Sequence, residues 1–257
     1  MIEEHSVSVR QACEQVQIPR SGYLYRRKPK DDGPIVEQLA LLVDKHPSIG
    51  FWMSFHRMRN SGAPWNHKRV YRVYTAMNLN IRRRAKKRLP ARAKQNLFQP
   101  SAPNQTWSLD FMSDSLWNGK CFRLLNVIDD YNRQLLTVEA DTSLPSLRVI
   151  RVLERLKQER GVPKMIRCDN GPEFISRNME QWCKENHIEL AFIQPGEPTQ
   201  NAFVERFNGS MRRELLNAFV FRTIYEVREK TYEWMMDYNL NRPHKSLNYK
   251  TPLDMLA

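Results

Sequence analysis

Three carboxylates lie in or beside segments of apolar residues, where a negative charge is unexpected. Asp110 interrupts the apolar run 107–112, whose alternation is typical of a strand that buries one face. Asp169 ends a second short apolar segment, and Glu205 lies in a segment with the helical spacing of apolar residues. A carboxylate inside a hydrophobic strand is costly unless a partner compensates its charge. Each position alone also fits a structural role: an edge-strand surface, a turn and an amphipathic surface helix, respectively.

Glu205 shares one face of its predicted helix with other polar residues. At about 100° per residue, positions i, i+4, i+7 and i+11 fall on one narrow stripe, and large apolar residues fall on the opposite flank. The stripe consists of Asn201, Glu205, Asn208 and Arg212, and the opposite flank consists of Phe203, Phe207 and Met211. Glu205 is therefore predicted to face a polar cleft, with a cation two turns further along the helix.

Together, the three carboxylates predict a site for metal-assisted chemistry. A carboxylate within one strand, another at the end of a second strand and a third on an adjacent helix can converge at one edge of a sheet. Three like charges at one place need a cation, and ligands that are all oxygen select Mg²⁺ or Mn²⁺. Two such ions, roughly 3.5–4 Å apart, would hold the attacking and leaving oxygens of an in-line phosphoryl transfer. These residues therefore predict phosphodiester chemistry.

The elements that must position the carboxylates follow from periodicity and turn signals. A three-stranded meander followed by alternating helices and strands predicts a mixed five-stranded sheet with helices on its faces, an α/β fold. The predicted strands are 106–112, 121–128, 134–138, 164–169 and 188–193. The predicted helices are 145–160, 175–186, 200–216, 224–238 and a short one at 252–256.

The first hundred residues predict only helices. Segments 8–16 and 21–27 have the shape of a helix-turn-helix remnant, and Ser8 followed by Gln11 is a capping-box start. Further helices are predicted at 34–46, 51–60 and 66–77. The predicted domains are the helix-turn-helix-like segment 1–33, an all-helical DNA-binding region 34–81, a basic linker 82–100 and the sheet-containing core 101–257 with its helical tail.

The positive charge of the chain lies almost entirely in its first part. Residues 1–100 carry 20 Lys and Arg against 7 Asp and Glu, whereas residues 101–257 carry 21 of each. Segment 82–94 holds 8 of these cations and no acid, which predicts an extended arm that follows phosphates. The helix at 66–77 offers its cations on one side, although a solvated basic face explains that helix equally well. The predicted DNA contacts are His67, Lys68, Arg69, Arg72, Arg82, Arg83, Arg84, Lys86, Lys87 and Arg88.

Composition excludes several other classes of protein. No apolar run approaches the roughly 18 residues of a membrane span, and the acidic first residues do not resemble a secretory signal, so a cytoplasmic, DNA-associated protein is expected. The four cysteines form neither a disulfide framework nor a zinc pattern. Cys168, beside Asp169, is predicted to point away from the carboxylates because strand neighbours alternate faces.

The three carboxylates and their flanking strings resemble a known family. Asp110, Asp169 and Glu205, with 35 residues between the last two, resemble the DDE catalytic triad of retroviral-integrase-like transposases. The strings around the triad and near the C-terminus resemble bacterial insertion-sequence transposases of family three, in which the second of two overlapping reading frames encodes the catalytic protein. These strings are Trp107-Ser-Leu-Asp-Phe111, Asp169-Asn-Gly-Pro-Glu-Phe174, Pro198-Thr-Gln-Asn-Ala-Phe-Val-Glu-Arg-Phe-Asn208 and Tyr238-Asn-Leu-Asn-Arg-Pro-His-Lys-Ser-Leu247.

The resemblance implies a ribonuclease-H-like catalytic core and assigns roles to residues. Asp110, Asp169 and Glu205 would be the ligands of two Mg²⁺ ions, for which Mn²⁺ can substitute. Arg212 matches a basic position that touches the terminal DNA, and Asn208 on the same stripe is expected to contact DNA as well. The implied partners are double-stranded DNA at transposon ends and targets, further copies of the chain, and a first-reading-frame protein or frameshift fusion.

The expected function is DNA transposition, in which element ends are cleaved and the freed 3′-OH is joined to DNA. Two alternatives stay open: a structure-specific nuclease of the same fold, and a non-catalytic DNA-binding relative that acts as a repressor. Other polar residues are assigned structural roles. Asp129 and Asp130 belong to a turn, Glu173 caps a helix and His244 is not a base.

Overall fold

The structure is a computed structural model that describes residues 7–26, 31–81, 99–194 and 201–256. Most of the predicted basic linker falls outside these ranges, and with it the predicted DNA contacts Arg82, Arg83, Arg84, Lys86, Lys87 and Arg88. None of the helices in the described ranges is long and apolar enough to cross a membrane.

The first part of the chain is helical, as predicted. Ser8 caps α1 by accepting a hydrogen bond from Gln11, whose side chain in turn binds the Ser8 backbone, so the predicted capping box is formed. Asn66 caps α5 in a similar way, through Lys68 N at 2.8 Å. The helices are α1 (Val9–Gln15), α2 (Arg20–Leu24), α3 (Gly33–Lys45), α4 (Phe51–Asn60) and α5 (His67–Ala76).

Helices α3, α4 and α5 enclose a small core of their own. The buried side chains are Ile35, Leu39, Met58, Val70 and Tyr74. Burial of these groups stabilises the helices more than intrinsic propensity does, because short helices are marginal in isolation. This region contacts the sheet-containing core through Arg57, which binds both carboxylate oxygens of Asp237 at 3.0 and 2.5 Å.

The core is a five-stranded mixed sheet, which confirms the predicted fold class. The strands are β1 (Thr106–Ser115), β2 (Cys121–Asp129), β3 (Leu135–Asp141), β4 (Met165–Cys168) and β5 (Glu189–Phe192), in the spatial order β3-β2-β1-β4-β5. The first three strands pair antiparallel as a meander, and β4 and β5 add in parallel on the other side of β1. Strand β1 is therefore central, with an antiparallel and a parallel neighbour.

Helices cover both faces of the sheet. These are α6 (Ser146–Arg160), α7 (Arg177–Glu185), α8 (Ala202–Met211) and α9 (Ile224–Leu240), followed by short 3₁₀ turns at Lys245–Leu247 and Leu253–Met255. Trp107 and Leu109 of β1 pack with α6 and α7, whereas Met112 packs with α8 and α9. Alternate residues of β1 thus serve two different cores, as the strand period requires.

One predicted helix differs in the structure. The sequence predicts a single helix over 200–216, but α8 ends at Met211 and a π-helical turn spans Arg212–Leu216. Leu215 and Leu216 are both buried against the sheet, and the wider turn accommodates two consecutive apolar residues on one side. The polar stripe of this helix consequently ends in a turn of different geometry.

Candidate active site

Asp110 lies at the centre of β1, on the face covered by α8. Its Oδ1 accepts a hydrogen bond from Phe111 N at 2.9 Å, and its Oδ2 accepts one from Asn208 Nδ2 at 2.7 Å. Burial, together with the negative charges of Asp169 and Glu205, raises the pKa of Asp110 to about 6, and these hydrogen bonds oppose the shift. The charges of the three predicted ligands therefore act on one another.

Asp169 directly follows β4, the parallel neighbour of β1. Ser108 pairs with Arg167 in this ladder, and Asp110 and Asp169 each lie two residues further along in the same direction. The Asp169 Oδ1 accepts a hydrogen bond from Gly171 N at 3.1 Å. Cys168 is fully buried in the opposite core, as predicted, and burial raises the pKa of its thiol.

Glu205 lies in the first turn of α8, exposed to solvent. Partial burial raises the pKa of its carboxyl. Helix α8 begins over the centre of β1, where Asn201 Nδ2 donates to Leu109 O at 3.3 Å. Glu205 is close enough to influence Asp110 electrostatically. Within residues 7–26, 31–81, 99–194 and 201–256, however, no group of three or more His, Cys, Asp or Glu side chains is placed to enclose a metal ion.

Two asparagines connect β1, β2 and α8 beneath Asp110. Asn126 lies directly opposite Asp110 on β2 and donates its Nδ2 to Asn208 Oδ1 at 2.7 Å, while Asn208 donates to Asp110. The amide of Asn208 thus orients a carboxylate, and its contact with DNA stays a prediction. Asn126 was not among the predicted site residues, although an amide within the apolar run 124–128 is a signal for such a role.

Arg212 binds the C-terminal part of β1. Its Nη1 donates to Asp114 Oδ2 and its Nη2 donates to Ser113 O, both at 2.7 Å. Together with the contacts of Asn201 and Asn208, this bond shows that the predicted polar stripe follows β1 along its length. The guanidinium remains partly exposed, with 36% of its side-chain surface accessible.

The turn after Asp169 is held against β1 and β2. Glu173 forms an ion pair with Arg123 of β2, whose guanidinium lies 4.1 Å from the centre of the Phe111 ring. The predicted helix-capping role of Glu173 is wrong, because Ser176 caps α7 through Met179 N at 3.3 Å. Local spacing could not reveal a partner 50 residues away.

The described cations of the helical region differ in their availability. His67 and Lys68 are exposed. Arg69 and Arg72 instead both bind Asp32, at 2.9 and 2.5 Å. An acidic residue that precedes α3 thus already neutralises part of the predicted basic face, and DNA contact by these cations stays a prediction.

Two other polar residues, Asp130 and His244, have structural surroundings. Asp130 is fully buried and binds Arg167 at 2.7 Å, and burial raises its pKa to about 6. His244 packs edge-on against Tyr238, with ring centres 4.9 Å apart. Burial, aided by the nearby Arg242 charge, lowers the pKa of His244 to about 3, so it is neutral at physiological pH.

The fold and the site define a protein with an integrase-type core. The family model described as Integrase core domain matches residues 100–198, and a second model with the same description matches residues 186–252. The chain is 38% identical over 256 residues to an uncharacterized 31.7 kDa protein of insertion element IS407 from Burkholderia multivorans, covering 99% of this chain and 92% of that protein. It is 24% identical over 263 residues to the putative transposase InsK of IS150 from Escherichia coli, covering 93% and 89%, respectively.

The chain therefore belongs to the insertion-element transposases that contain an integrase core domain, a family of the polynucleotidyl-transferase type. A solved chain of the simian T-cell lymphotropic virus intasome shares its fold, with a TM-score of 0.53. That match covers 86% of this chain and 73% of the viral chain at 16% identity. The expected retroviral-integrase-like, ribonuclease-H-like architecture is thereby confirmed, whereas membership of family three stays a prediction.

Proposed function

We propose that this transposase cleaves DNA strands at the ends of its element and joins the freed 3′-OH to another phosphodiester through Asp110, Asp169 and Glu205. One observation carries the assignment: Asp110 lies on β1 and Asp169 directly follows its parallel neighbour β4, and the charges of Asp169 and of Glu205 on the covering helix both act on Asp110. A carboxylate group of this kind at the sheet edge is suited to phosphoryl transfer.

The donor set suits a hard divalent cation. All three side chains offer carboxylate oxygens. Burial raises the pKa of Asp110 and the charges of Asp169 and Glu205 add to this, and a shared cation would offset both effects. Asp110, Asp169 and Glu205 would hold Mg²⁺, or Mn²⁺ in its place, as two ions per site. The bound metal supplies Lewis-acid activation of the attacking and leaving oxygens.

The protein groups then orient the carboxylates and the DNA. Asn208 fixes the Asp110 carboxylate by donating to one of its oxygens, so that the other edge is presented consistently. Arg212 is the nearest cation along the same stripe and is partly exposed, which suits a contact with a terminal phosphate. His67, Lys68 and the basic segment 82–94 supply nonspecific affinity for the DNA backbone.

Transposon ends, target DNA and further copies of this chain are the proposed partners. A single copy presents one candidate site, whereas an element has two ends, so paired copies on DNA suit the reaction. The fold shared with a viral intasome chain supports this proposal. Association with a first-reading-frame protein, or synthesis as a longer frameshift fusion, belongs to the same proposal.

The test uses Asp110→Asn, Asp169→Asn and Glu205→Gln in separate full-length variants. Each is expected to lose cleavage of a labelled element end and joining of a pre-cleaved end in Mg²⁺ or Mn²⁺, while DNA binding in a gel-shift assay is kept. Glu229→Gln, at an exposed position of α9, is the matched control for loss of one negative charge. Substantial cleavage by any triad variant would remove that residue from the site.

Double variants of the triad are expected to be no worse than single ones, because a two-metal site that lacks one ligand is already disabled. Joining of a pre-cleaved end distinguishes a transposase from a nuclease of the same fold. Hydrolysis without any joined product would support the nuclease. DNA binding by the wild type without either reaction would support a repressor.

A further inference from the structure

A fourth carboxylate lies beside Asp169. Gly171 separates Asp169 from Glu173, and a Cβ at Gly171 would lie 3.0 Å from Asp169 Oδ1 and 3.5 Å from Glu173 Oε2. The two carboxylates therefore lie close to the same glycine. Two neighbouring carboxylates interact less unfavourably when one of them is paired with a cation.

Arg123 provides that cation. It projects from β2, and its guanidinium pairs with Glu173 while lying over the Phe111 ring at 4.1 Å. The pairing lowers the pKa of Glu173, so this carboxyl is ionised at neutral pH. Only 16% of the Glu173 side chain and 32% of the Arg123 side chain are accessible.

The same contacts anchor the turn that carries Asp169. Phe174 is fully buried and stacks on Phe111, with ring centres 5.0 Å apart. Phe111 itself follows Asp110 on β1, and its backbone N–H donates to that carboxylate. Arg123 thus touches both the neighbour of Asp110 and the turn that follows Asp169, although it lies on neither element.

We propose that Arg123 is a positioning residue that neutralises Glu173 and keeps this fourth carboxylate out of the metal-binding set formed by Asp110, Asp169 and Glu205. Oxygen ligands have similar affinities for hard cations. An unpaired Glu173 would therefore compete with Asp169 for the metal and would displace the metal from the position that catalysis requires. This inference rests on the proposed function. It adds a residue whose role is to exclude a ligand rather than to supply one.

The experiment compares full-length Arg123→Met, Glu173→Gln and the double variant Arg123→Met/Glu173→Gln with the wild type. Mn²⁺ affinity is measured by water-proton relaxation without DNA, and cleavage of an element end gives kcat and KM. Arg123→Met is expected to bind Mn²⁺ about tenfold more tightly, because a bare carboxylate has been added to the site. Its kcat is expected to fall about tenfold or more, because small misplacements of reacting groups are costly.

Glu173→Gln is expected to stay within about threefold of wild type in both measurements, since it removes the competing charge and can still accept a hydrogen bond from Arg123. The double variant is expected to return to that level, because the competing ligand is absent. Weaker Mn²⁺ binding together with slower cleavage in Arg123→Met would overturn the proposal, as would failure of the double variant to recover. The latter result would indicate that Arg123 acts on the DNA itself.

Thermal unfolding of the metal-free variants separates this role from packing. If Arg123→Met and the double variant lose the same amount of Tm, a folding defect does not explain why their Mn²⁺ affinities differ. Asp110→Asn serves as the reference for the site. If wild type and Asp110→Asn bind Mn²⁺ equally and neither cleaves, the proposed function fails. If wild type cleaves and Asp110→Asn does not, while Arg123→Met behaves as wild type, only the positioning role fails.

Discussion

Asn208 donates a hydrogen bond of 2.7 Å to Asp110, although the two residues are 98 positions apart in the sequence. Asn126 in turn donates to Asn208 at 2.7 Å, from the position directly opposite Asp110 on the neighbouring strand. The orientation of the central carboxylate therefore depends on a helix and a second strand together. A buried amide pair of this kind fixes direction more than it adds net stability.

Removing the Asn208 amide should slow catalysis without preventing DNA binding. Asn208→Ala is expected to lower the rates of cleavage and joining about 10- to 100-fold, a typical loss when a group that orients a metal ligand is removed. Kinetic assays at saturating DNA measure the effect. Asn178→Ala, at an exposed position of α7, is the matched control. Wild-type rates in Asn208→Ala would show that Asp110 is held adequately by its backbone hydrogen bond.

Arg212 should act on DNA placement. Arg212→Ala is expected to keep near-normal Mn²⁺ binding and to lose joining activity by about tenfold or more, because it removes a positioning contact and no ligand. Arg212→Lys should recover part of the loss if charge suffices and little if a bidentate fork is needed. Arg213→Ala, at the next and more exposed position, is the control. Full joining of a pre-cleaved end by Arg212→Ala would show that this residue binds Asp114 but does not position DNA.

Because the pKa of Asp110 is raised, replacing Asp110 by Asn should increase the free energy of unfolding by an amount that depends on pH. A carboxyl with a folded-state pKa of about 6, against 3.8 ordinarily, favours the folded state below pH 3.8 and loses this contribution as pH rises through about 6. Metal-free Asp110→Asn should therefore be more stable than wild type by about 2–3 kcal/mol at pH 7.5, and by less than about 1 kcal/mol at pH 4.

Urea unfolding in the presence of a chelator measures this difference. Asp44→Asn, at an exposed position of α3, is the control and should show little change at either pH. Addition of Mn²⁺ should stabilise the wild type and have a smaller effect on Asp110→Asn, since a ligand stabilises only a state that binds it. Equal stability of the two proteins at pH 7.5 would argue against the raised pKa of Asp110.

The contact between Arg57 and Asp237 should couple the helical region to the core. Both side chains are nearly buried, at 9% and 13% accessible, and burial alone would raise the pKa of Asp237, whereas the Arg57 hydrogen bonds and charge lower it. Asp237→Asn is expected to cost about 3 kcal/mol at pH 7, because Arg57 is left without its counter-charge. A lowered pKa contributes its full stabilisation of the folded state only above the ordinary pKa. The difference in stability between wild type and Asp237→Asn should therefore shrink as pH falls below 3.8.

Denaturant unfolding at pH 7 and pH 3.5 tests this contact. Lys45→Met is the control, because Lys45 is 67% exposed and lies 3.8 Å from Asp237, where an ion pair contributes at most about 1 kcal/mol. An equal cost for both variants would show that the contact is no stronger than a surface pair.

The basic segment 82–94 should control the salt dependence of DNA binding. Replacing four of its cations by Gln should make the slope of log affinity against log salt shallower, by up to about 0.9 for each lost phosphate contact. Fluorescence anisotropy between low and moderate salt measures the slope. The control replaces four exposed cations of the core. Equal slopes for the two variants would show that segment 82–94 has no special role in DNA binding. The first set is Arg82, Arg83, Arg84 and Lys86, and the control set is Arg151, Arg177, Lys184 and Lys245.

Much of the fold was accessible from sequence because each element buries one face. The alternation around Asp110 predicted a strand, and the structure places Trp107 and Leu109 in one core and Met112 in the other. The spacing likewise predicted one polar stripe from Asn201 to Arg212, and both of these residues contact β1. The periodicity of apolar residues indicates which side chains of one element are buried on the same face, and it can be read from nearby residues alone.

Partners of charged side chains were not accessible in this way. The spacing of Glu173 suggested a helix cap, but Arg123 of another strand binds it. Arg69 and Arg72 appeared free to contact DNA, yet both bind Asp32. A charge interacts through space over distances set by the packing of whole elements, so its partner depends on the tertiary fold rather than on neighbours in the chain.

The amino-acid sequence by itself determined the order of the strands and helices, the positions of Asp110, Asp169 and Glu205 on them, and the basic character of the first hundred residues. Only the tertiary structure decided that Asn126 and Asn208 orient Asp110 and that Arg123 restrains the turn after Asp169. The physical reason is that backbone pairing and burial follow local patterns, whereas the direction of a side-chain hydrogen bond requires the register between β1 and β2 and the placement of α8 over both.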